Sequence, residues 1–287
     1  MAGTGGPRTA LVLGGGGVTG IAWEIGLLAG LRDAGVDLTA ADLVVGTSAG
    51  SVVGAQVTSG FTVDELYRRQ LEPPSAERPA RVSPRLLAAW LLAGLLARGD
   101  ATAFARRVGR ASIRAAAAGR TPTLDERLTA ISSRLPVSSW PDRDLRVTAV
   151  DALSGAFRVL TADSGVDLVT AVAASCAVPS VYPPVLIDGR PYIDGGMKSG
   201  ANADLATGAE RVVVLAPTPR GFATMVSAAS QAAAWPAGRA LVLSPDAAAV
   251  RAIGRNVLDP AARAAAAVAG RAQGQSTVAA VRAVWTA

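Results

Sequence analysis

Four consecutive glycines, Gly14 to Gly17, stand between a short apolar run, Thr9 to Leu13, and a stretch of helical length and period. Glycine loses more backbone freedom on folding than any other residue, so a fold that keeps such a run uses the bare backbone for something. One use is to bring N–H groups against an anion at a helix start. The apolar run reads as a buried strand. Gly20 to Ala34 reads as a helix with Ile21, Ile25, Leu28 and Leu31 on its apolar face, stopped by Gly35. The pattern then recurs, with Leu43 to Val45 as a second buried strand ending at Gly46 and Ala49 to Thr58 as a helix closed by Ser59 and Gly60. Strand, helix, strand, helix in this order predicts a parallel sheet with helices on its faces.

Phe61 to Ser139 differs. Helical pieces at Val63–Leu71, Pro84–Leu96, Thr102–Ala118 and Leu124–Leu135 are separated by prolines and charges. This predicts a helical insertion over one end of the sheet, about 61–139, and a place for a lid. Strand-like segments return at Leu145–Val150 and Ala156–Thr161, joined by a turn at Asp151–Gly155. Leu168–Ala177 reads as a small-residue helix. Val185–Ile187 and Pro191–Ile193 flank Asp188-Gly189, a hairpin signal. Val212–Leu215 and Ala240–Leu243 read as further strands, and Pro260–Trp285 as an Ala-rich helix interrupted by Gly270 and Gly274. With no repeat and no linker, the expectation is one domain over 1–287, with a core of about 8–216 and a C-terminal extension of about 217–287. The expected class is a three-layer α/β/α fold around a central, mostly parallel sheet, with a helical insertion and a helical C-terminal tail.

The chain has no histidine, which excludes Ser-His-Asp and Cys-His catalysis within it. Its one cysteine, Cys176, excludes an intramolecular disulfide and a Cys/His zinc site. The net charge of +6 is carried almost wholly by arginine, Lys198 being the lone lysine. The arginines are scattered without a basic run, so a solvated surface is the first reading and attraction to anionic lipid head groups the second. No basic cluster interleaved with aromatics points to nucleic acid. Met1 to Arg8 is Gly-rich and Ala10–Leu13 is too short for a signal peptide. Leu86 to Leu96, at about eleven residues, is too short to span a bilayer, which needs about 20. It reads as a helix packed on the sheet, with contact at a lipid interface as the alternative. Cytoplasmic residence with transient membrane contact is the expectation.

Three motifs carry chemistry. Gly46-Thr47-Ser48-Ala49-Gly50 is a G-x-S-x-G between a strand and a helix, the arrangement that lifts a serine hydroxyl clear of a sharp turn. The alternative is a plain N-cap serine. Gly14-Gly15-Gly16-Gly17-Val18-Thr19-Gly20 could hold a nucleotide pyrophosphate or an acyl oxyanion. The first use wants an acidic residue ending the second strand, where Gly46-Thr47-Ser48 stands instead. Tyr192-Ile193-Asp194-Gly195-Gly196 closes a strand with a turn and supplies a carboxylate. Without histidine, a serine needs such a base.

At these three stations, in this order, the sequence resembles the patatin-like phospholipase family, from about Arg8 to Ala216. Ala174–Pro179 and Asn202–Leu205 extend the likeness. The resemblance implies that Ser48 attacks an ester carbonyl and Asp194 accepts its proton. Backbone N–H groups of Gly15, Gly16 and Gly17, with that of Ala49, would hold the oxyanion. Gly14, Gly20, Gly46, Gly50, Gly195 and Gly196 would complete the motifs, with no metal or organic cofactor. It implies a lipid or fatty-acyl ester substrate: phospholipid, lysophospholipid or acylglycerol. The alternatives are an acyltransferase using the same dyad and a catalytically silent lipid-binding module. Burial at the sheet edge would raise the Asp194 pKa toward a useful base. One departure is Thr19, where the family often has Arg or Lys. Asp151, Asp163 and Asp204 read as turn or cap residues, and Cys176, Trp23 and Trp90 as packing residues.

Overall fold

The computed structural model describes residues 8–73, 79–221 and 223–286. The Gly-rich start therefore lies, through residue 7, outside the described residues. The elements run β1 (Thr9–Leu13), α1 (Gly17–Asp33), β2 (Leu43–Gly46), α2 (Ala49–Thr58), α3 (Val63–Leu71), α4 (Pro84–Ala97), α5 (Ala101–Ala117) and α6 (Leu124–Ser132). There follow β3 (Asp144–Asp151), β4 (Phe157–Leu160), α7 (Leu168–Ser175), β5 (Val185–Ile187), β6 (Arg190–Asp194) and β7 (Arg211–Leu215). The chain ends with α8 (Ala228–Ala232), β8 (Ala240–Leu243), α9 (Ala247–Ile253), α10 (Arg263–Ser276) and α11 (Val278–Trp285).

Strands β3, β2, β1, β7 and β8 are parallel neighbours in that order. The central strands β1, β2 and β7 are buried on both faces, which explains their apolar runs. Leu11 and Leu13 of β1 point into one core, with α1, α2 and α10, while Ala10 and Val12 point into another, with the segment around Ala201–Ala209. The three layers follow from this alternation. β4 pairs antiparallel with β3, and β5 with β6 through Asp188 and Gly189. Both turn residues have positive φ, 53° and 74°, the condition a two-residue hairpin of this hand imposes.

The register of β3 sets up the site. Val147 faces Gly46 on one side and Leu160 on the other, and Ala149 faces Asp194 and Arg158. β4 therefore holds one edge of β3, while β2 and β6 share the opposite edge end to end. The carboxyl ends of β2 and β6 point at each other, two residues apart along β3, or about 7 Å at strand rise.

Several sequence expectations need correction. α1 begins at Gly17 rather than Gly20, taking the last glycine of the run into its first turn. α6 stops at Ser132, short of Leu135. α4 is not buried on the sheet: only Gly94 and Ala97 are buried, and Leu87, Leu91, Leu92, Leu95 and Leu96 are exposed. Among the described residues no helix is long and apolar enough to cross a membrane.

Gly270 and Gly274 do not interrupt the C-terminal helix, whose break falls at Thr277. They are its packing face. Fourteen consecutive residues of α1, Val18 to Leu31, are buried, and α10 lies directly on the helix. A Cβ at Gly26 or Gly30 would run into the Ala267 or Arg271 carbonyl, and one at Gly270 or Gly274 into the Trp23 or Leu27 carbonyl. Four absent side chains thus let the two backbones touch. Trp23 Nε1 donates to Gln273 Oε1 at 2.9 Å across the same seam.

Helix propensity alone would make Gly30→Ala stabilising by about 1 kcal/mol. The collision with a fixed carbonyl costs about 1–3 kcal/mol and reverses the sign. The expected result is a lower melting temperature, by about 2–4 °C per kcal/mol lost. A melting temperature at or above wild type would show that the seam has slack.

Candidate active site

Ser48 sits where β2 ends and α2 begins, with φ 52° and ψ −115°, a conformation L-residues avoid. Such a residue costs about 1–3 kcal/mol and persists only where its surroundings hold it. Here they do. The Ser48 N–H donates to Ser175 Oγ at 2.9 Å. Its carbonyl accepts from Ser51 N–H at 2.9 Å, Ser51 Oγ at 2.7 Å and Cys176 Sγ at 3.2 Å. The motif glycines are forced by contact: a Cβ on Gly46 would meet Ser51, and one on Gly50 would enter the Leu13 carbonyl of β1.

Asp194 ends β6, level with Ser48 across the gap at the end of β2. It is buried, and its backbone N–H donates to Ala177 O at 3.1 Å. One carboxylate oxygen accepts from Gly196 N–H at 2.7 Å. Burial pushes its pKa up to about 6, opposed by the Ser48 hydroxyl, the Gly196 N–H and the Arg127 guanidinium. Gly195 is pressed onto Thr148 with no room for a side chain. Asn202, in a left-handed conformation, ties the two motifs together. Its Nδ2 lies 3.0 Å from Thr47 Oγ1, 3.0 Å from Ser199 O and 3.3 Å from Gly195 O. Thr148 Oγ1 donates to Thr47 Oγ1 at 3.0 Å beneath it.

The glycine loop packs against the elbow. A Cβ on Gly15 would stand 3.4 Å from Ser48 Cβ, so bare backbone lies directly against the serine side chain. Gly14 N–H is shared between Leu215 O and Glu24 Oε1, both at 2.9 Å, and Gly15 N–H donates to Gly200 O at 2.7 Å. Gly14 O accepts from Gly50 N–H at 2.9 Å, joining loop to elbow. Among the described residues, the N–H groups of Gly16, Gly17 and Ala49 make no hydrogen bond. Gly20 faces Pro217 and Ala49 at the loop's far side. Thr19 is buried, and both its N–H and Oγ1 donate to Val257 O at 3.2 Å. Threonine there anchors the loop to the segment before α10.

Four residues around the site lie outside the three motifs, Ser175 and Asn202 within the two segments that extend the family likeness and Glu24 and Arg127 within neither. Ser175 braces the elbow and Asn202 links the motifs. Glu24, wholly buried, holds Gly14 from below; burial raises its pKa well above the ordinary carboxylate range, against the hydrogen bond from Gly14 N–H. Arg127 of α6 lies in the wall of the pocket that opens on Ser48, with Gly17, Val18, Ala49 and Tyr182. The other singled-out residues fall where expected. Asp151 accepts from Leu153 and Ser154 N–H at 2.8 Å in its turn. Asp204 pairs with Lys198, and Trp23 and Cys176 are buried. Asp163 lies in a short 3-10 turn, and Trp90 packs against the cluster around Phe104. Among the described residues no group of three or more His, Cys, Asp or Glu could hold a metal ion.

A family model described as patatin-like phospholipase matches residues 11–207. No curated protein matches the chain. Among solved structures, VipD from Legionella pneumophila is similar over 95% of this chain and 67% of its own, at 12% identity and a TM-score of 0.48. The type III effector protein ExoU is similar over 96% of this chain, at 17% identity and a TM-score of 0.42. The chain spans 53% of ExoU. At such identities and scores the two likenesses say nothing of activity.

The raised pKa of Asp194 has a consequence for stability. Its folded value of about 6 lies above the ordinary 3.8, so between these pH values the folded state holds a proton that the unfolded state has lost. Stability therefore falls as pH rises through this window, by about 3 kcal/mol for a shift of about two units. Asp194→Asn keeps an acceptor for Gly196 N–H and carries no charge. It is expected to be more stable than wild type at pH 8, by on the order of 2–3 kcal/mol, with the gain vanishing by about pH 4. Urea denaturation at both pH values measures this. A gain independent of pH, or a loss at pH 8, would mean that the buried charge is not the burden.

Proposed function

The chain belongs to the patatin-like phospholipase family, and from that premise we propose that it is a lipid acyl hydrolase working through Ser48 and Asp194. The supporting observation is the end-to-end meeting of β2 and β6 on one edge of β3, which sets a strained serine facing a buried carboxylate. In this reading Asp194 takes the hydroxyl proton as Ser48 Oγ adds to the ester carbonyl. The tetrahedral intermediate collapses, Asp194 returns the proton to the leaving alcohol, and the acyl group stays on Ser48. Water then adds, giving its proton to Asp194, and the fatty acid leaves as Ser48 recovers its hydrogen.

An ordinary aspartate is too weak a base for this work, and a pKa of about 6 brings Asp194 close to working pH while leaving it ionised at pH 7 and above. The unengaged N–H groups of Gly16, Gly17 and Ala49 suit the oxyanion. Each such donor is worth about 2.7–4 kcal/mol in the transition state. Gly15, whose N–H is already given to Gly200, contributes the missing side chain that lets the loop close on Ser48. The substrate on this reading is a phospholipid, lysophospholipid or acylglycerol, and the steps call on no metal or organic cofactor.

Hydrolysis of p-nitrophenyl esters of graded chain length tests the dyad. Wild type is expected to be active, with kcat/KM rising with pH about an apparent pKa near 6. Ser48→Ala and Asp194→Asn are expected to lose at least about a thousandfold. Activity surviving in folded Ser48→Ala would remove the nucleophile from the scheme.

α4 suits contact with the substrate's home. Its leucines, with Leu95 75% accessible, form an exposed apolar face. Arg81, Arg85 and Arg98 flank it, with no acidic residue between Arg81 and Arg98. An apolar face rimmed by arginine matches an anionic lipid surface, with the guanidinium groups at head-group level. Each leucine buried is worth about 1.5–3 kcal/mol. Leu91→Ser with Leu95→Ser is thus expected to weaken binding to phosphatidylglycerol vesicles by at least about tenfold in a flotation assay. Undiminished binding, or a wild type that hides this face as a dimer in solution, would defeat the assignment.

A further inference from the structure

One side chain in the wall of the Ser48 pocket with no role in the scheme above is Arg127. It is only 5% exposed. Its guanidinium lies over the Tyr182 ring at 3.8 Å from the centroid, and Nη2 donates to Cys176 O at 3.3 Å. Its Nε has no hydrogen-bond partner, and among the described residues the group forms no ion pair. A buried cation with an orphaned donor is expensive, and a bound anion is one partner that would complete it. Arg127 lines the pocket of Ser48, and so does Arg134.

Beyond Val18, Ile21 and Arg134, which the two share, the pocket adjoins a cavity of about 500 Å³. Its wall carries Gln56, Arg69, Gln70, Glu72, Arg134 and Arg263. Among the described residues of the wall, three are arginines and one, Glu72, is a carboxylate. Two of the three are held in place: Arg263 Nη2 donates to Arg69 O at 2.8 Å and Nε to Gln70 Oε1 at 3.3 Å, while the Arg69 guanidinium stacks on Phe61 at 4.0 Å. Neither forms an ion pair among the described residues. A polar chamber of this kind is a poor home for an acyl chain and a good one for an anion.

We propose that Arg127, Arg134, Arg69 and Arg263 form an anion subsite that receives the phosphate of an acyl ester whose carbonyl lies at Ser48. The inference rests on the acyl-hydrolase reading for its substrate class and narrows it, from lipid esters at large to those with a phosphate-bearing head group. Arg127 is the residue closest to the reacting ester, and the arginines of the cavity hold the outer part of the head group.

Binding to the full-length Ser48→Ala protein, which removes the proposed nucleophile, tests this without requiring turnover. Calorimetric titrations would compare three ligands with one acyl chain: decanoyl glycerol phosphate, decanoyl glycerol and decanoate. The phosphate compound is expected to bind at least about tenfold more tightly than the neutral one, and inorganic phosphate to compete with it. Added singly, Arg127→Lys and Arg263→Gln are each expected to remove most of that preference. Arg263 is half-buried at the cavity wall, so its variant tests the subsite even if Arg127→Lys fails to fold. No binding of the phosphate compound, equal affinity for the neutral ester, or a preference intact in folded variants would overturn the proposal. So would equal affinity for decanoate, which would assign the arginines to the product carboxylate. A wild type that hydrolyses no ester, yet binds the phosphate compound as expected, would sink the proposed chemistry and leave the subsite standing.

Discussion

Two strand ends meet head-on along one edge of β3, and the rest of the site depends on that meeting. β2 stops at Gly46, opposite Val147, and β6 stops at Asp194, opposite Ala149. Between them lies a gap in the ladder where backbone groups lose their usual partners and cannot be left unpaired in a buried place. Thr47, Thr148 and Asn202 fill it with hydroxyl and amide groups that bond to one another and to the Gly195 carbonyl. The polar cluster does two things at once: it satisfies the gap and fixes the distance between the two motifs. A slip of β6 by one residue would turn every side chain of the strand to the other face, Asp194 included. The Asp188-Gly189 turn, with both residues at positive φ, pins that register from the hairpin's far end.

The site holds several unfavourable features together. Ser48 is strained, Asp194 carries a charge in a buried place at neutral pH, Glu24 is a carboxyl group wholly buried, and Arg127 lacks a partner for its Nε. Each is destabilising by on the order of 1–3 kcal/mol, against a total that for most domains is only 5–15. Something elsewhere must offset them, and the seam between α1 and α10 is the best-placed source. It anchors the helix whose first turn begins in the glycine loop. Packing backbone on backbone through Gly26, Gly30, Gly270 and Gly274 gives that helix little room to shift. The C-terminal extension therefore belongs to the mechanics of the site, although it contributes none of the three motifs.

The sequence made the core readable where local rules act alone. β1, β2 and α2 fall at the residues that apolar runs and glycine stops mark, and the β5–β6 hairpin follows from Asp188-Gly189. The three motifs, in their order, led to the family to which the chain belongs. What stayed hidden was set by tertiary contact. Gly270 and Gly274 read as helix breakers because single-sequence rules price glycine by propensity, and only the facing helix shows them as contacts. Leu86–Leu96 read as buried because hydropathy reports what a segment favours, while its surroundings decide what covers it. Ser175 and Asn202 lie in segments that extend the family likeness, but their bonds to the elbow and between the motifs show only in the folded chain, and Glu24 is a common residue type in unremarkable spacing. Arg127 is one arginine among many, nearly fifty residues from the Cys176 carbonyl it touches.

Arg127 also shows how the insertion turns a general scaffold into a particular one. The sheet and its loops supply the strained serine, the buried acid and the bare N–H groups, all from β1, β2, β6 and their turns. On the readings proposed above, none of those elements selects a substrate. Selection comes mostly from the insertion: α6 sends Arg127 into the pocket, the residues after it bring Arg134 to the shared wall, α3 contributes Arg69 to the cavity beside Arg263 of α10, and α4 offers its leucines outward. The same guanidinium that would meet a phosphate also lowers the proton affinity of Asp194 through space. An anion bound at Arg127 would cancel part of that positive field and let the Asp194 pKa rise, making it a stronger base once the phosphate is seated. Head-group binding and base strength are thereby coupled through one buried charge, so a phosphate-bearing ester would gain in the chemical step as well as in affinity.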